Sequence, residues 1–171
     1  MNAAAASHAT TPEAAKAWAA AASVCDPEIP VLTLQDLGVL RDLQLDRDGK
    51  VLVTITPTYS GCPAMLVMET EILKALREAG FEKVKVETVL SPAWTTDWLS
   101  EAGREKLRSY GIAPPVRASS SRQALFGKDS VDCPQCGSSD TERVSEFGST
   151  SCKALYRCCS CAEPFDYFKC L

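Results

Sequence analysis

At 171 residues and 18.4 kDa, the chain has room for one ordinary domain and a small module, and is too short for a two-domain enzyme built on a dinucleotide fold. Apolar residues at 46% and charged residues at 23% describe a globular protein with a core rather than a disordered chain. With 18 Lys and Arg against 22 Asp and Glu, the net charge of −4 has the wrong sign for gripping nucleic-acid phosphates or an anionic membrane surface.

No apolar run reaches the roughly 18 residues of a membrane span. The Ala-rich start has no basic stretch ahead of its apolar one, so it does not read as a secretory signal, and the expected location is the cytoplasm. Residues 1–10, which hold the single histidine, His8, read as a disordered start without a site role. Nine cysteines is a high number for a cytosolic chain, where thiols are more often metal ligands than disulfides.

Thr11-Pro12-Glu13 places a hydroxyl cap, a first-turn proline and a first-turn acid in order, predicting a helix from Pro12 to Val24 that Pro27 and Pro30 stop. Val39 to Leu45 and Val51 to Thr56 alternate apolar and polar residues across Asp46-Arg47-Asp48-Gly49, a hairpin signal. Met65, Leu66, Met68, Ile72, Leu73 and Leu76 recur at helical spacing between Pro63 and Ala79, and Gly80 ends that helix. Val84, Val86 and Val89 predict a third strand, and a last helix is expected from a Thr96-Asp97 cap through Trp98, Leu99 and Leu107 to Tyr110-Gly111. The fold class expected is α+β, a small three-stranded sheet covered by helices and followed by a Cys-rich module.

Residues 114–132, with Pro114-Pro115 and Ser119-Ser120-Ser121, read as a linker between a domain at 1–113 and a module at 133–171. That module holds Cys133, Cys136, Cys152, Cys158, Cys159, Cys161 and Cys170, seven of the nine cysteines. Cys133-Pro-Gln-Cys136 and Cys158-Cys-Ser-Cys161 are two CxxC pairs at zinc-ribbon spacing. Two intervening residues turn the backbone enough to aim both thiolates of a pair at one ion, a turn that Pro134 and Gly137 suit. Four thiolates close a tetrahedral site, so this one reads as structural zinc; iron fits the same four sulfurs, and spacing does not separate the two. Strands are expected over Thr141 to Phe147, Cys152 to Arg157 and Phe165 to Cys170. Cys152, Cys159 and Cys170 stand outside the pairs, either as structural thiols or as a second, labile site.

In the first domain, Cys62 follows Thr58-Tyr-Ser-Gly at an expected helix start, where the macrodipole favours a thiolate and Gly61 permits close approach. It is the reactive-thiol candidate; the alternative is a small capping or buried residue. Asp26 and Glu28, alone, are turn and capping residues, and beside a thiolate become hard ligands suited to iron. No histidine-supported nucleophile, phosphate loop or open metal motif appears, so an enzyme is not expected.

Through Asp26-Pro27-Glu28-Ile29-Pro30, Asp36-Leu37-Gly38 and Thr58 to Pro63, residues 12–113 resemble the iron-sulfur assembly domain of cluster-maturation factors. With the tail from Glu146 to Cys158 and Glu163-Pro-Phe-Asp-Tyr-Phe-Lys-Cys170, the whole chain resembles the D-subunit family of bacterial phenylacetyl-CoA epoxidase systems, which act in aerobic phenylacetate degradation. The resemblance implies an accessory protein that assembles or delivers iron or an iron-sulfur cluster to an oxygenase or reductase subunit, alone or as a homodimer. It implies Cys62 as the iron or cluster contact, with Asp26, Glu28 and Thr58 on the same surface, and zinc on Cys133, Cys136, Cys158 and Cys161. Two other readings remain open: a structural adaptor docking through Phe165, Tyr167 and Phe168, aromatics that otherwise read as ribbon core, and a zinc-ribbon nucleic-acid binder. The second is disfavoured by the four basic against five acidic residues of 133–171.

Overall fold

Thr11 Oγ1 accepts the Ala14 N–H at 3.2 Å and opens α1 (Pro12–Ala22), which ends two residues before the expected Val24. The hairpin follows as β1 (Leu40–Leu45) and β2 (Lys50–Ile55), its turn held by Asp46 Oδ1, which accepts the N–H groups of Asp48 and Lys50 at 3.0 and 2.8 Å. Then come α2 (Met65–Glu78) and β3 (Lys83–Thr88). Gly80, at φ 96°, takes the left-handed conformation that closes α2. The computed structural model describes residues 11–115 and 131–169. The expected disordered start, with His8, lies outside them, as do most of the expected linker and Cys170.

The first sheet has the order β1-β2-β3. β1 and β2 are antiparallel, whereas β2 and β3 are parallel, which requires a crossover that α2 supplies. Strand alternation sorts the side chains. Val51, Val53 and Ile55 are fully buried, and in register with them stand Leu45, Leu43 and Leu40 of β1 and Val84, Val86 and Thr88 of β3. α1 and α2 contribute Ala17 and Ala21, and Met68, Ile72 and Leu76 at four-residue spacing, to the buried set. The other face carries Asp42, Gln44, Thr54, Lys85 and Glu87, so one face of the sheet forms the core.

The chain divides into two compact units between Trp94 and Thr95. The expected boundary lay at 113, and the difference has a clear cause. After a 3-10 turn at Thr96–Trp98, Leu99 is extended at φ −66°, ψ 125°, and interrupts what was expected to be one helix. Ser100, not Thr96, caps α3 (Glu101–Ser109), its Oγ accepting the Gly103 N–H at 2.9 Å. Arg104, 4% exposed, donates to Thr96 O at 2.7 Å and to Pro115 O. β4 (Ile112–Ala113) then pairs in parallel with β7 (Pro164–Phe168), Ile112 opposite Asp166 and Ala113 opposite Tyr167. α3 and β4 therefore belong to the Cys-rich unit rather than to the first domain.

That unit's sheet has the order β4-β7-β6-β5, with β5 (Thr141–Ser145), β6 (Lys153–Cys158) and β7 (Pro164–Phe168) antiparallel in sequence. Its small core joins Ala113, Val131, Ala154, Tyr156 and Phe165 to Cys133 and Cys158. Tyr156 stacks on Phe165 at 5.9 Å and meets Tyr167 edge-on at 5.5 Å. Among the described residues, no helix is long and apolar enough to cross a membrane.

Candidate metal centre and Cys62 loop

The first CxxC pair lies on the turn before β5, where the Gly137 N–H donates to Cys133 O at 2.9 Å and Gly137 takes φ 74°. The second begins at the end of β6, where the Cys161 N–H donates to Cys158 Sγ at 3.4 Å. These turns bring the sulfurs of Cys133, Cys136, Cys158 and Cys161 within 4.8 Å of one another, the one such group of three or more metal-ligating side chains among the described residues. The Sγ atoms of Cys133 and Cys161 are 3.8 Å apart and those of Cys136 and Cys158 3.6 Å apart. A tetrahedral ion with metal–sulfur bonds of roughly 2.3 Å needs sulfurs about 3.8 Å apart. The spacing therefore fits one ion, which all four residues would hold with no open position. The Cys161 N–H draws the Cys158 thiol down to about 7.

Cys152 and Cys159 stand apart from this set. Cys152 is buried, with Thr150 Oγ1 and its sulfur 3.1 Å apart, and Cys159 is exposed. The aromatic end is ribbon core, as its alternative reading had it, and not the adaptor surface: Phe165 and Phe168 are 4% and 1% exposed, while Tyr167 packs against the cluster. Among its described residues, the large apolar side chains this unit exposes are Tyr110, Val144 and Phe147. The ammonium of Lys169, itself buried, lies 4.0 Å from the Phe147 ring centre and donates to Glu146 O at 2.6 Å.

In the first unit, Asp26 and Glu28, two residues apart on one turn, lie within electrostatic reach of Cys62 on another segment. Asp26 sits on the turn that follows α1. It is buried, and its Oδ1 accepts the N–H groups of both Glu28 and Ile29 at 2.7 Å, so it has the turn-capping role as well as its place beside Cys62. Glu28 and Cys62 are half-buried, and Thr58 is half-buried in the same loop as Cys62. The Cys62 thiol lies close enough to both carboxylates to be acted on by them, but its pKa moves opposite to expectation. Burial pushes it up first; the Ala64 N–H lowers it; Glu28 and then Asp26 raise it further; and the Tyr59 hydroxyl lowers it, for a net rise. The macrodipole argument fails because α2 begins only at Met65, with no side-chain cap, so Cys62 stands three residues ahead of the helix.

Two groups in this loop escaped the sequence reading. Tyr59 hydrogen-bonds Cys62 with its hydroxyl and accepts the Cys62 N–H on its carbonyl at 3.3 Å; a polar-tipped aromatic three residues before a cysteine was its signal. Thr56, at the start of the loop, is 1% exposed, and among the described residues its Oγ1 has no hydrogen-bond partner. Such a hydroxyl costs about 1–3 kcal/mol. Nothing in the pattern marks it, since a β-branched residue at a strand end is ordinary.

Residues 14–89 match the family described as iron-sulfur cluster assembly protein, and residues 117–169 match the PaaD zinc beta ribbon domain. A protein of Escherichia coli named as the D-subunit of 1,2-phenylacetyl-CoA epoxidase is 51% identical over 94% of this chain and 94% of its own. The chain belongs to the phenylacetyl-CoA epoxidase D-subunit family. An Fe-S protein maturation auxiliary factor of Porphyromonas gingivalis is 38% identical over 46% of this chain and 75% of its own. A crystal structure of a domain of unknown function, DUF59, from Bacillus anthracis matches with a TM-score of 0.51 at 25% identity, covering 54% of this chain and 89% of that one. The Cys62 loop thus lies in the part shared with iron-sulfur assembly proteins, and the four-cysteine centre in the part shared with zinc ribbons.

Proposed function

We propose that this chain is a non-catalytic accessory protein of the phenylacetyl-CoA epoxidase system, which holds iron or an iron-sulfur cluster at Cys62 and passes it to the oxygenase or reductase subunit, while zinc on the four-cysteine centre is structural. What carries the reading is the match of residues 14–89 to iron-sulfur cluster assembly proteins, within which Cys62 lies in electrostatic reach of Asp26 and Glu28. The maturation-factor name of the Porphyromonas gingivalis relative and the epoxidase name of the Escherichia coli one support its two halves.

The chemistry follows from charge. Two carboxylates that raise the thiol's pKa in the cation-free chain make the same spot attractive to a cation. A cation arriving there reverses the balance and takes the thiolate, the proton leaving to solvent. One thiolate and nearby carboxylates form an incomplete set for iron, in contrast to the four sulfurs of the ribbon, and an incomplete set favours release to an acceptor that offers more ligands. The oxygenase and reductase are the acceptors on this reading because the relative's name places it in an epoxidase system.

The test is zinc, iron and acid-labile sulfide per chain in anaerobically purified wild type and Cys62→Ala. Expected is one equivalent of zinc in both, with iron and sulfide in the wild type alone. Zinc alone in both would turn the reading to a structural adaptor, and iron retained by Cys62→Ala would move the functional site to the Cys-rich unit.

A further inference from the structure

Thr56 is where the segments of the Cys62 site are stitched together. Its N–H donates to Val39 O at 2.9 Å, the Val39 N–H to Leu34 O at 3.0 Å, and the Leu34 N–H to Val24 O at 2.8 Å. The Asp26 N–H, in turn, donates to Leu32 O at 2.9 Å. A backbone ladder therefore runs from Thr56 through the Asp36-Leu37-Gly38 neighbourhood to the Asp26 turn, and the loop that carries Cys62 leaves from the same residue. The neighbouring polar side chains have their bonds: Asp26 Oδ1 accepts two N–H groups, and Asp36 Oδ2 accepts from the Thr33 N–H and hydroxyl at 3.1 and 2.9 Å. The Thr56 hydroxyl, buried at 1% exposure, has none among the described residues. Valine would fill the same volume without that penalty and suits a strand end equally well.

We propose that Thr56 is a positioning residue for the loaded site: its hydroxyl makes its hydrogen bond to the 56–63 loop when that loop holds iron through Cys62. Among the described residues of the unloaded chain the hydroxyl is unpaired, and loading satisfies it, so the bond adds to retention of the cargo and not to the fold. This inference rests on the role of Cys62 proposed above.

The test uses the full zinc-bound chain, reconstituted anaerobically with ferrous iron and sulfide, as wild type, Thr56→Val, Thr56→Ser and Cys62→Ala. The readouts are the rate of iron release to a chelator and the melting midpoint of each iron-free chain. Expected are an iron-free Thr56→Val that melts at or above the wild type yet releases iron about five- to tenfold faster, the worth of one hydrogen bond, and a Thr56→Ser that releases at the wild-type rate. Release from Thr56→Val at the wild-type rate overturns the inference while leaving Cys62 in place. So does a lower melting midpoint for iron-free Thr56→Val, which would make the hydroxyl part of the unloaded fold. A wild type that holds no iron, or Cys62→Ala that holds it equally well, overturns the reading of Cys62 and this inference with it.

Discussion

The two cysteine environments of this chain differ in how complete they are. In the Cys-rich unit two turns deliver four sulfurs to one point, with pairs 3.8 and 3.6 Å apart, and the small core around Tyr156 and Phe165 is built partly from two of those cysteines. In the first unit the Cys62 thiol stands at a loop, raised in pKa by burial and two carboxylates, beside a sheet whose core of Val51, Val53, Ile55, Ile72 and Leu76 contains no ligand at all. Where ligands are part of the core, metal and fold are one equilibrium. Where the ligand sits on a loop over an independent core, occupancy and stability separate.

The contrast is broken most forcefully by removing the metal. A chelator strong enough to strip the four-cysteine centre is expected to unfold the second unit, since apparent site energies of about 10–16 kcal/mol in zinc-finger peptides far exceed what so small a core supplies. Amide hydrogen exchange reads this directly: protection in β5, β6 and β7 collapses while that in β1, β2 and β3 persists. Protection surviving in β6 would show that the ribbon core stands without metal.

A smaller effect separates the two carboxylates beside Cys62. Asp26→Ala removes the oxygen that caps the Glu28 and Ile29 N–H groups and should cost roughly 1–2 kcal/mol, the usual worth of such a cap, in urea unfolding followed by a first-unit probe. An unchanged midpoint would reassign Asp26 to the site alone.

Glu28→Gln is the finest cut. It should leave stability within a few tenths of a kcal/mol, as expected for a half-exposed surface residue, and lower the Cys62 pKa, because Glu28 is the stronger of the two charges raising it. Peptide-resolved alkylation would then proceed faster at Cys62 at any pH below its titration. The sign for stability follows from the same shift. The folded thiol's pKa is raised, so its contribution is full below the ordinary thiol range and is lost as pH climbs through the folded value; Glu28→Gln narrows that window.

Local signals carried most of the architecture. Hydroxyl-Pro-Glu at residues 11–13, the Asp46 to Gly49 turn and the four-residue spacing of Met68, Ile72 and Leu76 each encode one element within a few residues, and the CxxC pairs encode their own convergence. What escaped depends on distant partners. Ile112 and Ala113 are too few to alternate visibly, and they become a strand only because Asp166 and Tyr167 arrive beside them. The direction of the Cys62 shift was missed because burial, its first cause, depends on how the loop packs, and because α2 starts three residues after the cysteine. The aromatic run at Phe165 to Phe168 fits a ribbon core or a docking surface equally by composition, and only the pairing of β6 across it decides for core.

The short pairing of β4 with β7 also changes what the stretch after it can do. Pro115 is held by Arg104, and Val131, 2% exposed, accepts a bond from Thr141 Oγ1 at 2.7 Å on its carbonyl. The chain thus leaves and re-enters the same unit between 115 and 131, so this stretch is not a tether that sets the reach of one body from another. A single nick between 115 and 131 would leave two fragments still sharing one sheet through β4 and β7. The two units divide at the Trp94–Thr95 step and not among the prolines and serines.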